Sequence, residues 1–343
     1  MNFPITHRTR QSMPLMTSRS PLRLLLLMWA IIGMISAIGA KDRNAMTDRG
    51  MMAHSGEQVP SSSSISSLPI EQQMKDAEDL VRQAFAKVWQ WKAEAGIADT
   101  MKDSLRTGMI GEEWTPLTTT LGNEEAKWLS VQPGWAGFLV KELSALGVKS
   151  GDTVAISMTG SFPALNLATL VACQTLGLAV VSISSLGSSQ YGANQPGFTW
   201  PEIEYRLRQE GFLHLGTTLL TFGGTGDRGA EWSEEARQLA EECALKTPWQ
   251  LLKPHNLRQA IRMRLLHYGD LSRYKCFINI GGNQATLGGG ARQRYNRGGW
   301  FYKLPPGKSD PAGVIDYFLQ KGIPCLNLLH LEELNQKFRI VNR

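Results

Sequence analysis

From residue 133 onward the chain alternates two patterns. Blocks with apolar positions at helical spacing stop at a glycine, and short apolar runs follow them. The spacing predicts helices over 133–146, 162–176, 200–210 and 312–321, ended by Gly147, Gly177, Gly211 and Gly322. Strands follow at 153–158, 178–183, 217–222 and 323–328. Helices at 230–245 and 256–268, a short segment at 249–252 and a strand at 274–280 complete the series. A glycine at a helix end admits the left-handed residue that turns the chain back. Its recurrence between helix and strand implies right-handed βαβ crossovers. The predicted fold class is α/β, a doubly wound, mostly parallel open sheet of about five or six strands.

Upstream, Ile70, Met74, Ala77, Val81, Ala84, Phe85 and Val88 recur at helical spacing with polar residues between them, giving an amphipathic helix that ends near Gly96. Trp89 and Trp91 at its end have two readings, packing on the domain or contact with a membrane interface. Residues 70–132 read as a helical elaboration and 133–343 as the α/β ligand-binding domain.

Four predicted strands run into small, polar, glycine-rich turns. These are Thr159-Gly160-Ser161, Ser184 to Ser189, Gly223-Gly224-Thr225-Gly226-Asp227 and Gly281-Gly282-Asn283. Parallel order places all four at the carboxyl edge of the sheet, where ligands of open α/β sheets bind. Glycine permits close backbone approach, and helix N-termini offer N–H groups to an anion. The candidate ligand-binding residues are Thr159, Gly160, Ser161, Asn166, Ser185, Ser188, Ser189, Tyr191, Asn194, Gly224, Thr225, Gly226, Asp227, Gly281, Gly282 and Asn283.

The chemistry of these turns stays open. Ser161 stands where a nucleophile elbow would, but Thr-Gly-Ser-Phe-Pro lacks G-x-S-x-G, so it reads first as an N-cap or ligand donor. With no histidine in the neighbouring turns to act as a base, no acyl-enzyme is expected at Ser161. His214 and His267 are the remaining candidate bases, and a core or surface place suits them better. Asp227 either caps the following helix or orients a ligand hydroxyl or amine. Gly224, Gly226 and Gly229 spell G-x-G-x-x-G, but no acidic residue follows at the dinucleotide offset, and the P-loop Lys-Ser/Thr is missing. No cofactor is expected. The four cysteines and six histidines are dispersed, which argues against a zinc site and favours buried thiols.

Charge changes the picture at the N-terminus. The chain of 343 residues carries a formal net charge of +6. Six of its 36 basic residues but only one of its 30 acidic ones fall within residues 1–43. The rest is nearly balanced, which argues against nucleic-acid binding. Residues 1–23 form a basic segment expected in the cytoplasm, and 24–40 an uncharged, mostly apolar run. Such a run spans roughly 25 Å as a helix, close to a hydrocarbon core. It reads as an uncleaved transmembrane anchor, with a cleaved signal peptide as the competing reading. The Ser-rich segment 41–69 reads as a flexible tether, which puts the large domain outside the cytoplasm beside an inner or plasma membrane. Residues 281–309 are rich in glycine and hold Arg292, Arg294, Arg297, Lys303 and Lys308 without an acid, either a mobile basic flap or a solvated, partly ordered excursion.

Several motifs in order carry a family resemblance. They are Leu117-Thr118-Thr119-Thr120-Leu121-Gly122, the run Thr159 to Asn166, the run Ser188 to Asn194, Gly223 to Asp227 and Ile278-Asn279-Ile280-Gly281-Gly282. With these the chain resembles the bacterial poly-γ-glutamate system proteins. The resemblance implies an envelope-associated accessory component that works with the synthase and export proteins of that polymer. It brings no established catalytic residues. The alternatives are an exported hydrolase or transferase acting on a γ-glutamyl or related bond, and a sugar-phosphate-binding domain.

Overall fold

The computed structural model describes residues 68–289 and 294–340. The anchor expected at 24–40 and nearly all of the tether lie outside the described residues. Within them, no helix is long and apolar enough to cross a membrane.

The fold is α/β. The strands are β1 (Thr118–Thr120), β2 (Thr153–Met158), β3 (Ala179–Ser185), β4 (Ser188–Ser189), β5 (Leu219–Thr221), β6 (Leu251–Leu252), β7 (Tyr274–Ile280), β8 (Gly299–Phe301) and β9 (Cys325–Leu328). Seven of them make one sheet in the order β6-β5-β3-β2-β7-β9-β8. All its neighbours are parallel except the edge pair β8–β9. Connections run outward from β2 through β3 in one direction and from β7 through β9 in the other. The point where the order reverses therefore lies between β2 and β7. β1 and β4 form a separate parallel pair. The sheet has one strand more than the upper count predicted: β6 falls in the short segment expected at 249–252, and β8 is too short to show a period of two.

Sheet side chains divide by alternation. Val154, Ile156 and Met158 of β2, Cys276, Ile278 and Ile280 of β7, and Leu326 and Leu328 of β9 enter one core. That core is covered by α1 (Ile70–Glu94), α2 (Glu124–Ser130), α3 (Gly134–Ala145), α4 (Pro163–Thr175) and α5 (Trp200–Gln209). The apolar stripe of α1 (Ala77, Val81, Ala84, Phe85 and Val88) lies in this same core, so the N-terminal elaboration is packed on the sheet domain. Trp91 is buried with it, under the Arg206 guanidinium at 4.1 Å from the ring centre, which settles that tryptophan as packing. Ala155, Phe277 and Cys325 face the other side, against α7 (Leu257–Tyr268) and α9 (Val314–Gln320). A smaller cluster joins α6 (Glu234–Leu245) to the end of β5. The short α8 (Gln284–Leu287) follows β7, and α10 (Leu331–Phe338) closes the described chain. Cys173, Cys243, Cys276 and Cys325 are all buried free thiols.

The basic stretch after β7 is not a flap where it is described. Arg294 is buried against Asp316 at 2.7 Å. Arg297 lies over the Phe301 ring at 4.1 Å, and residues 299–301 form the edge strand. Arg292 lies outside the described residues.

Candidate functional site

The four glycine-rich turns meet at the carboxyl edge of the sheet, each touching the next. The Ser188 hydroxyl donates to Gly160 O at 3.0 Å, joining the second turn to the first. Gly187 N donates to Phe222 O at 2.8 Å, joining the second to the third. Gly226 N donates to the Gln284 side chain at 2.7 Å, joining the third to the fourth. Gly281, at φ +89°, lies against the Thr159 hydroxyl where a Cβ would collide, and this closes the fourth turn on the first.

Close packing removes many of the expected ligand groups from reach. Asp227 is fully buried and takes a bidentate ion pair from Arg264 of α7, at 2.6 and 2.9 Å. It also accepts from Thr221 Oγ1 at 2.9 Å and from Asn283 Nδ2 at 2.8 Å. Arg264 reaches Ser157 of β2 at 3.2 Å, and Ser157 bonds Thr286 at 2.7 Å. This ion-centred network locks the third and fourth turns to β2 and α7. Asp227 therefore neither caps a helix nor faces a ligand: Ser233 caps α6, its hydroxyl accepting from Ala236 N at 3.2 Å. Asn283 is spent on Asp227 and on capping α8, where it accepts from Thr286 N at 3.0 Å.

Other candidates are similarly occupied. Asn194 holds Glu112 N at 3.0 Å, Glu112 O at 2.7 Å and Thr118 Oγ1 at 3.0 Å, knitting the N-terminal segment to the second turn. Ser185, Ser188 and Thr159 are buried, and Asn166 donates to Thr159 O at 2.8 Å. The Glu231 carboxylate accepts from Thr225 N at 2.9 Å, so an internal anion already occupies the third turn. A strand, a tight turn around Gly224 and Gly226, and then Ser233 before the helix do not form a dinucleotide loop. Of the predicted residues, Ser161, Tyr191 and Gly224 are half-exposed, and Thr225 and Gly282 are exposed.

Ser161 does not cap α4. The N-cap is Phe162, which makes no side-chain cap bond, and Pro163 opens the helix. The Ser161 hydroxyl instead accepts from Ser189 N at 3.0 Å. The first turn of α4 is thus left without a side-chain acceptor, beside the point where the strand order reverses.

Sequence reasoning missed Lys127. It stands on α2, far in sequence from the turns, yet its amine is buried between the first two of them. It donates to Ser161 O and, at 2.8 Å, to Ser189 Oγ, and lies 4.4 Å from the Phe162 ring centre. No carboxylate contacts it among the described residues. Burial without a counter-charge pulls its pKa down to about 7. A base is therefore present at this edge, contrary to the expectation from the histidines. His214 is exposed, and His267 bonds Thr218 at 2.7 Å away from the turns.

Two open grooves lie away from the turns. One of about 560 Å³ runs along the outer side of α7, lined by Ile261, Leu265, Leu266 and Tyr317 with Arg258 and Arg262. Apart from the two arginines and Tyr317 its named lining is apolar, whereas the turn edge gathers polar groups from four strand ends. No protein-family model matches the chain, and no curated protein matches it.

Proposed function

We propose that the chain is a membrane-anchored accessory component that binds a carboxylate-bearing polymer, poly-γ-glutamate by its resemblance, at the switch point between β2 and β7. The observation that carries this reading is the N-terminus of α4, which starts at Pro163 without a side-chain cap beside the glycine-rich turns. The positive end of its dipole and the N–H groups of Ala164 and Leu165 suit a carboxylate. Gly282 forms the opposite rim: it is exposed, and nothing lies within 4 Å of where its Cβ would stand. The anchor at 24–40 would keep this edge near the membrane at which such a polymer is made and exported.

Calorimetric titration of the full chain with poly-γ-glutamate tests the reading. Saturable binding that weakens with salt is expected, with none to an uncharged dextran. Gly282→Asp places a negative charge at the rim without steric conflict and should weaken binding about tenfold, or about 1.4 kcal/mol, while Gly282→Ala should not. Equal binding by the Asp variant, or binding of dextran, overturns the proposed site.

A further inference from the structure

The first two turns hold more than a binding edge requires. A lysine amine with no acidic partner is buried at hydrogen-bond distance from a serine hydroxyl, Lys127 Nζ to Ser189 Oγ at 2.8 Å. A structural lysine in such a place is usually paired with a carboxylate, because an isolated buried ammonium is costly. Here its other contacts are the Ser161 carbonyl and the face of Phe162. The ionisable groups around this corner are Glu124 and Glu125 on α2 itself, the Tyr191 phenol in the second turn and Glu332 on α10. Burial alone lowers the amine's pKa, to about 7.

We propose that Ser189 is a nucleophile with Lys127 as its base, acting on an amide carbonyl of the bound, carboxylate-bearing chain. The neutral amine takes the Ser189 hydroxyl proton as Oγ bonds to the carbonyl carbon. The resulting ammonium gives that proton to the leaving nitrogen as the C–N bond breaks. Water then attacks the acyl ester, passing a proton to the amine, which returns it to Ser189 Oγ as the free acid leaves. The net change is amide plus water to acid plus amine. α4 begins just past Ser161 without a side-chain cap, and in this proposal the Ala164 and Leu165 N–H groups of its first turn would face the carbonyl oxygen as it gains charge. Lysine serves as the base of a serine when it is desolvated, and burial does that here. Ser189 is only slightly exposed, beneath half-exposed Ser161, Phe162 and Tyr191, so the reacting carbonyl enters between these residues.

The substrate class rests on the binding reading above, but the nucleophile can be tested apart from it. The full chain is treated with a fluorophosphonate, and the modified residue is located by mass spectrometry. Stoichiometric modification at Ser189 is expected, with a rate that rises through about pH 7 and then levels off. Ser189→Ala should abolish labelling. Lys127→Arg keeps a cation that cannot act as a base, and should slow it at least about 100-fold. The wild-type pH profile keeps the test valid should the arginine fail to fold. No labelling, labelling at Ser161 instead, or a rate indifferent to pH overturns the assignment. Poly-γ-glutamate binding is measured in the same samples. Binding without labelling removes the nucleophile and leaves the binding reading, whereas labelling without binding keeps the nucleophile and removes the polymer.

Discussion

A single buried carboxylate shows how far residue type alone can mislead. Asp227 follows three glycines in the sequence, and such a position suits a ligand-facing acid. Its environment makes it a structural ion instead, fully buried and paired with Arg264, Thr221 and Asn283. Removing one partner of a buried pair leaves the other charge without compensation, typically at about 3–5 kcal/mol. Asp227→Ala should therefore lower unfolding stability by about that amount in a denaturant titration. A variant as stable as the wild type would return Asp227 to the list of ligand groups. Neither Arg264 nor Lys127 was legible as a partner of these turns. Arg264 is one of several basic residues on an ordinary amphipathic helix, and Lys127 lies on a short one. Only the three-dimensional fold brings them beneath the glycines, since no local pattern encodes a contact across such separations. Ser161 illustrates the same limit at closer range: its place before a helix was readable, but its bond to Ser189 N was not.

Elements were easier to read than residues, for a physical reason. β2 and β7 are buried on both faces, so their sequences are near-continuous apolar runs, and both strands occur at the predicted bounds. The glycines ending the predicted helices at 147, 177, 211 and 322 all have positive φ, as helix termination requires. What escaped were short pieces: β1, β4, β8 and α8 have too few residues to express a period. Packing between elements also leaves a titration signature. Glu204 of α5 is fully buried and accepts from Thr217 N at 2.6 Å and Thr217 Oγ1 at 2.5 Å, tying the helix to the approach to β5. Burial pushes its pKa up to about 7, against the opposing effect of the two Thr217 bonds. A carboxyl raised on folding favours the folded state below its unfolded pKa, and that contribution is lost as pH rises through the folded value. Stability should thus fall between about pH 4.5 and 7, by an amount on the order of 2–3 kcal/mol. Glu204→Gln keeps an acceptor for Thr217 without the charge, so denaturation midpoints at pH 5 and pH 7 should draw together. An undiminished gap in the variant would place the pH dependence on another group.

The chain as a whole divides its charge unevenly, and that division implies an orientation. Six of its basic residues and a single acid lie within residues 1–43, while the rest is close to neutral. A domain of balanced charge has no need of a basic leader for solubility. A membrane segment, as proposed for residues 24–40, would use one, because positive residues are retained on the cytoplasmic side during insertion. Arg8, Arg10, Arg19 and Arg23 precede the apolar run at 24–40, and Lys41, Arg43 and Arg49 follow it. The excess before the run favours an N-terminus inside and the sheet domain outside. The four buried thiols are compatible with export, since burial shields them from oxidation and exchange. Paired fusions after Arg343 test the orientation: an alkaline phosphatase, active only outside the cytoplasm, should be active, and a green fluorescent protein, which matures only inside, should be dark. Replacing Arg8, Arg10, Arg19 and Arg23 with Asn should reduce the phosphatase signal, because the charge difference across the apolar run is what sets the direction. A dark phosphatase with a bright fluorescent fusion would place the turn edge in the cytoplasm, on the side where the polymer is made rather than the side where it emerges.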